Sequence, residues 1–183
     1  PEHAFPAAVD DAVSAYRGLL AEGLRPQDVV IAGDSAGGGL SVATALRLRE
    51  LGQPQPRELV LFSPWADVSL EQLPPVPPGE VMLTVPWITE CARAYVGRGD
   101  AHHPLVSPVN ADLRGLPPTL IQVGTDEVLL EDSRRLHQRL QAASVPAQLE
   151  EFPGRWHVFQ VNAGVLADAD RALDAVAGFI HSV

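Results

Sequence analysis

Val29-Val30-Ile31-Ala32-Gly33-Asp34-Ser35-Ala36-Gly37-Gly38-Gly39-Leu40 is the stretch on which the reading of this chain turns. Its four opening apolar residues form a short continuous run, which predicts a strand buried on both faces. A glycine-rich turn follows, and the spacing from Leu40 to Leu51 predicts a helix stopped at Gly52. Gly33-Asp34-Ser35-Ala36-Gly37 fits G-x-S-x-G, the pattern of a serine raised on a sharp turn between a strand and a helix. Such a turn draws together the residues two before and two after the serine, so a Cβ at Gly33 or Gly37 is expected to clash. The helix behind Ser35 aims its N-terminal amides, Ala36 N–H first, at any negative charge developing there. Asp34, inside the motif, is read as a structural hydrogen-bonding residue. The competing reading is a tight βα turn that binds phosphate. No Lys follows, and the Rossmann glycine spacing is absent.

Working outward, Val9, Ala12, Val13, Tyr16, Leu19 and Leu20 recur at helical spacing between Phe5 and Ala21. Leu59–Phe62, Thr119–Val123 and Gln148–Phe152 read as further strands. Leu129–Ala143 and Gly164–Ile180 read as helices. Strands alternating with helices predict an α/β fold, a mostly parallel sheet with flanking helices. The break in the pattern starts at Asp67, is rich in proline (Pro74, Pro75, Pro77, Pro78) and is too long for a simple connection. Trp87, Ile88, Cys91, Ala94 and Tyr95 give its Pro86–Val96 portion helical spacing. An inserted cap or lid over residues 67–103 is therefore preferred to a disordered excursion, with residues 1–66 and 104–183 forming the core.

A serine nucleophile needs a base, and in this strand order the partners come as serine, acid, histidine, each on a loop after a strand. Asp126 directly follows the third strand, and His157 lies in the loop after the fourth. Ser35 as nucleophile, His157 as base and Asp126 as the acid orienting the imidazole is the arrangement these positions predict. Glu127 adjoins Asp126 and is expected to point elsewhere, while Asp132 reads as structural. His102 and His103 fall in the inserted segment, His137 in a polar helix and His181 near the terminus. All four read as surface residues, with lining of a pocket as the alternative for His102 and His103.

Composition narrows the setting. The 183 residues are 46% hydrophobic and 20% charged, with a formal net charge of −10, which disfavours nucleic acid and anionic membranes as partners. All 13 basic residues are Arg. Cys91 is the sole cysteine, so no intrachain disulfide or cysteine metal cluster can form, and it reads as a small buried helix residue. No run is long enough for a membrane-spanning helix, and no secretory leader is visible, from which a cytoplasmic location is expected.

Several motifs together resemble the hormone-sensitive-lipase-like α/β-hydrolases, the bacterial family IV carboxylesterases. They are Pro1-Glu2-His3 with Phe5-Pro6-Ala7-Ala8, GDSAGGG at 33–39, Ser63-Pro64-Trp65, Gly124-Thr125-Asp126-Glu127 and Trp156-His157-Val158-Phe159. The resemblance covers essentially the whole chain. It implies the C-terminal part of an α/β-hydrolase fold and hydrolysis of short- to medium-chain acyl esters through an acyl-Ser35 intermediate, with neither metal nor cofactor. Trp65, Trp87, Trp156 and Phe159 become candidates for an apolar pocket wall, with core packing as the alternative. The family also carries an HGGG oxyanion segment and further strands upstream of its nucleophile, and no stretch here corresponds to them. That leaves Ala36 N–H as the evident oxyanion donor and predicts that the first strand is an open edge, prone to self-association or to pairing with an upstream segment. The rival reading is a truncated, non-catalytic remnant serving as a binding module.

Overall fold

The structure is a computed structural model that describes residues 2–181, the side chain of His181 excepted. Pro1 of the first quoted motif and the surface reading of His181 lie outside the described residues.

Among the described residues four parallel strands form one sheet in the order β1 (Val30–Asp34), β2 (Glu58–Phe62), β3 (Thr119–Gly124), β4 (Ala147–Phe152). The registers pair Val30 with Glu58, Leu59 with Thr119 and Thr119 with Ala147. Because side chains alternate across a strand, β2 and β3 feed two cores. Leu59, Leu61 and Ile121 pack against α1 (Ala7–Ala21), α2 (Ala36–Glu50) and α4 (Leu130–Ala142) through Val9, Val42, Leu46, Leu136 and Leu140. Val60 and Leu120 face the other way, onto Phe179 of α5 (Ala167–His181). The result is a sheet between two helical layers, with β2 and β3 in the middle.

Two expectations change. The first strand is not buried on both faces, as its apolar run alone suggested, but is the open edge that the resemblance implied: among the described residues it pairs only with β2, and Val30 and Ile31 are half-buried while Ala32 is exposed. The closing helix begins at Ala167 rather than Gly164, whose φ of 82° places it in the preceding turn.

Residues 67–103 carry α3 (Val85–Val96). Thr84 caps it by accepting a hydrogen bond from Trp87 N–H at 3.4 Å, and Pro86 sits in its first turn, where no amide is required. Ile88 and Ala92 are buried against Trp65, Val68, Val106, Val128 and Leu129, so α3 docks over the carboxyl end of the sheet.

Candidate active site

In a parallel sheet every strand ends on the same edge, and the four loops that leave that edge bring the candidate residues together. Ser35 follows β1, Ser63 follows β2, Glu127 lies just beyond β3 and His157 beyond β4. Ser35 adopts φ 53° and ψ −121°, a strained backbone for a residue with a side chain. The end of β2 holds it there. Ser35 N–H donates to Phe62 C=O at 2.9 Å, and Ser35 C=O accepts from Trp65 N–H at 2.9 Å and Gly38 N–H at 3.0 Å.

The glycine argument holds on one side only. A Cβ at Gly33 would fall on the Gly37 carbonyl, a backbone group with no room to yield. A Cβ at Gly37 would meet nothing within 4 Å, because that position faces open space rather than Gly33. Ala36 opens α2, so its amide is among those a helix leaves without an internal partner. Asp34 is exposed and makes no side-chain hydrogen bond among the described residues, so the structural role expected of it is not seen.

His157 is 3% exposed, and its Nδ1 lies 3.1 Å from Glu127 Oε1. The other Glu127 oxygen accepts from Ser63 Oγ–H at 2.6 Å and from Gly124 N–H at 3.0 Å. Ser63 in turn accepts from Val158 N–H at 3.2 Å. A single hydroxyl thus joins the acid loop to the histidine loop.

The pairing of Asp126 with His157 is therefore corrected to Glu127. Gly124 N–H draws the Glu127 carboxylate back to the strand end, which turns the adjacent Asp126 the other way. Asp126 N–H donates to Arg155 C=O, and its side chain lies against Gly79, where a Cβ would come within 2.6 Å of Asp126 Cβ. Neither Glu127 nor Ser63 was picked from the sequence. No local pattern separates Glu127 from Asp126 in the sequence; burial marks it only in the fold, where a carboxylate 1% exposed must be met by donors.

Asp132 does prove structural. Its Oδ2 accepts from Ala66 N–H at 3.0 Å and Asp67 N–H at 2.9 Å, pinning the loop that carries Trp65. Burial pushes its carboxyl up to about 6, against the pull of the Asp67 amide and the Arg135 guanidinium. For Asp67 burial is outweighed by Ser69 and by Arg135 at 2.7 Å, which hold its carboxyl below the ordinary range.

A cavity of about 180 Å³ opens at Ser35, lined by Ala36, Trp65, Leu83, Trp87, Ile88, Cys91 and Leu129. A second, of about 250 Å³, shares Ala36, Trp65 and Cys91 with it. Cys91 is thus half-buried at a cavity wall rather than enclosed in a helix core. Of the four aromatic candidates, Trp65 and Trp87 line the Ser35 cavity. Phe159 and Trp156 do not: they pack with Phe152, Leu166, Ala169 and Ala172 beneath α5. His102 and His103 are exposed, as read, whereas His137 is half-buried with Nε2 3.3 Å from Ala147 C=O.

A strained serine, a buried carboxylate and a buried histidine on the loops after β1, β3 and β4, all leaving one edge of a parallel sheet, form a serine-hydrolase type of site. Residues 1–161 match the family model described as alpha/beta hydrolase fold, and the chain belongs to that family. It is 44% identical over 184 residues to an acetyl-hydrolase of Streptomyces hygroscopicus, covering 100% of this chain and 62% of that protein. An esterase of Acinetobacter venetianus is 36% identical over 189 residues, with 100% and 61% covered. Among solved structures, the hormone-sensitive-lipase homologue EstE7 from a metagenome library superposes with a TM-score of 0.94 at 42% identity, over 98% of this chain and 63% of that one. EstE5 soaked with p-nitrophenyl butyrate gives 0.94 at 41% identity, over 98% and 61%. The resemblance to the hormone-sensitive-lipase-like group is thus borne out, and the chain spans about three-fifths of these relatives' length. Among the described residues no helix is long and apolar enough to cross a membrane.

Proposed function

We propose that this chain carries the nucleophile, acid and base of a carboxylesterase acting on short- to medium-chain acyl esters. The observation behind the reading is the Glu127–His157 contact, with Ser35 held strained on the same sheet edge. With Nδ1–H donated to Glu127, the His157 Nε2 is left to accept the Ser35 Oγ proton as the hydroxyl attacks the ester carbonyl. The tetrahedral oxyanion would meet Ala36 N–H and the amino end of α2. Collapse expels the alcohol with a proton returned from His157, leaving acyl-Ser35. Water activated by the same imidazole then releases the acid. No step in this sequence calls for a metal or cofactor.

Residues 67–103 act as a cap in this reading, with Leu83, Trp87 and Ile88 walling the acyl site beside Trp65. The small apolar cavity at Ser35 suits a short acyl chain, in keeping with the p-nitrophenyl butyrate used with EstE5. The non-catalytic alternative gains no support, because a remnant has no need of a buried Glu127–His157 pair beside a strained serine.

The test is covalent labelling. A fluorophosphonate probe applied to the full protein should modify Ser35, and Ser35→Ala should abolish both labelling and hydrolysis of p-nitrophenyl butyrate. An adduct mapped to Ser63, Ser107 or Ser133 instead would defeat the assignment.

A further inference from the structure

Glu80 lies in the proline-rich stretch ahead of α3, with its amide donating to Pro77 C=O at 3.0 Å. Its carboxylate reaches in two directions. Oε1 accepts from Met82 N–H at 2.8 Å and Leu83 N–H at 3.0 Å, fixing the turn that leads into the cavity wall. Oε2 accepts from Val128 N–H at 3.2 Å, 48 residues away in sequence. Val128 directly follows Glu127 and is fully buried. On the other side of Glu127, the Asp126 side chain rests against Gly79. Consecutive strap residues therefore hold both flanks of the acid that meets His157.

We infer that Glu80 is a positioning residue whose carboxylate ties the wall of the Ser35 cavity to the loop carrying Glu127. This rests on the reading of Ser35, His157 and Glu127 as the reacting set. Glu80 itself touches neither His157 nor the cavity. It acts by fixing where the Glu127 backbone lies, and a carboxylate is the side chain that can accept three amide protons while donating none. The consequence is coupling: a substrate pressing on Leu83 acts on the same carboxylate that steadies the acid. Misplacing a reacting group by 1 Å can cost about 10²-fold in rate, so a loosened acid loop is felt in turnover.

Two variants of the full protein separate this from a fold-wide effect. Glu80→Gln keeps one oxygen for the Met82 and Leu83 amides but turns an NH2 towards Val128 N–H. Its KM for p-nitrophenyl butyrate should stay near wild type, while kcat falls about 10-fold or more. Amide exchange at Val128 should speed up about 10-fold, as expected for the loss of one hydrogen bond to a charged group. Glu80→Ala should lower kcat and raise KM as well. A Glu80→Gln protein with wild-type kcat and wild-type Val128 exchange overturns the inference. So does a fall in Tm with kcat per folded molecule unchanged. If even the wild type hydrolyses no ester, the reading of Ser35 has failed, and Val128 exchange alone then decides whether Glu80 clamps this loop.

Discussion

Glu127 Oε1 lies 3.1 Å from His157 Nδ1, and both side chains are almost wholly buried. A buried imidazole that gains positive charge during a reaction needs a partner of this kind, and Asp126 is turned away from it. Glu127→Gln should therefore reduce kcat by orders of magnitude, since the equivalent change in the serine-protease template costs about 10⁴-fold. Asp126→Asn should leave kcat close to wild type. Steady-state rates on a chromogenic ester check the ranking, and a reversal would return the role to Asp126.

Ser63 offers a second test, because its hydroxyl both donates to Glu127 and accepts from Val158 N–H. Ser63→Ala leaves a buried amide unpaired and removes one of the donors on the acid. The penalty for one such orphan is about 1–3 kcal/mol, so urea unfolding should shift by that amount and kcat should fall with it. Unchanged unfolding would mean that water replaces the hydroxyl.

The sequence made most of this site legible and missed its middle. The strands themselves, the serine elbow and the histidine loop were all readable because each depends on local pattern: an apolar run, a G-x-S-x-G turn, a loop after a strand. The choice between Asp126 and Glu127 was not, because adjacent loop residues point to opposite sides and the deciding bond, Gly124 N–H to Glu127 Oε2, forms only when the chain curls back. Ser63 was hidden for a related reason: its partners lie 64 and 95 residues away. Trp156 and Phe159 misled because an aromatic beside a catalytic-looking histidine reads as pocket wall, whereas here both cover the core under α5. The burial expected of β1 failed because a continuous apolar run looks the same at the edge of a sheet as at its centre.

Asp132 gives a pH dependence of definite sign. Its carboxyl, ordinarily near 3.8, is pushed up to about 6 in the folded protein. Between those values the folded state holds a proton that the unfolded chain has released, so Asp132 favours folding below about pH 4, and that contribution is lost as pH rises towards 6. Asp132→Asn removes the titration while keeping an oxygen for the Ala66 and Asp67 amides. The stability difference, wild type minus variant, should thus be larger at pH 4 than at pH 7, by about 3 kcal/mol for a shift of about two units. Denaturant titrations at the two pH values check it, and a difference that grows with pH would show Asp132 to be ionised throughout.

The open side of β1 carries the last prediction. Among the described residues β1 hydrogen-bonds only to β2, and beside it lies a groove of about 380 Å³ walled by Tyr16, Leu19, Val29, Val30 and Ile31. An unpaired strand edge next to apolar surface is a template for another strand. We expect a polypeptide of these 183 residues alone to self-associate as its concentration rises, and light scattering coupled to size exclusion would show it. Extending the polypeptide upstream should restore a single species if the added residues pair with β1. The same extension bears on catalysis, because among the described residues Ala36 N–H is the evident oxyanion donor and losing a single donor costs about 10² to 10³ in kcat. Turnover of p-nitrophenyl butyrate should therefore rise together with monodispersity. Brisk hydrolysis by a monodisperse 183-residue monomer would show that β1 needs no partner and that Ala36 suffices.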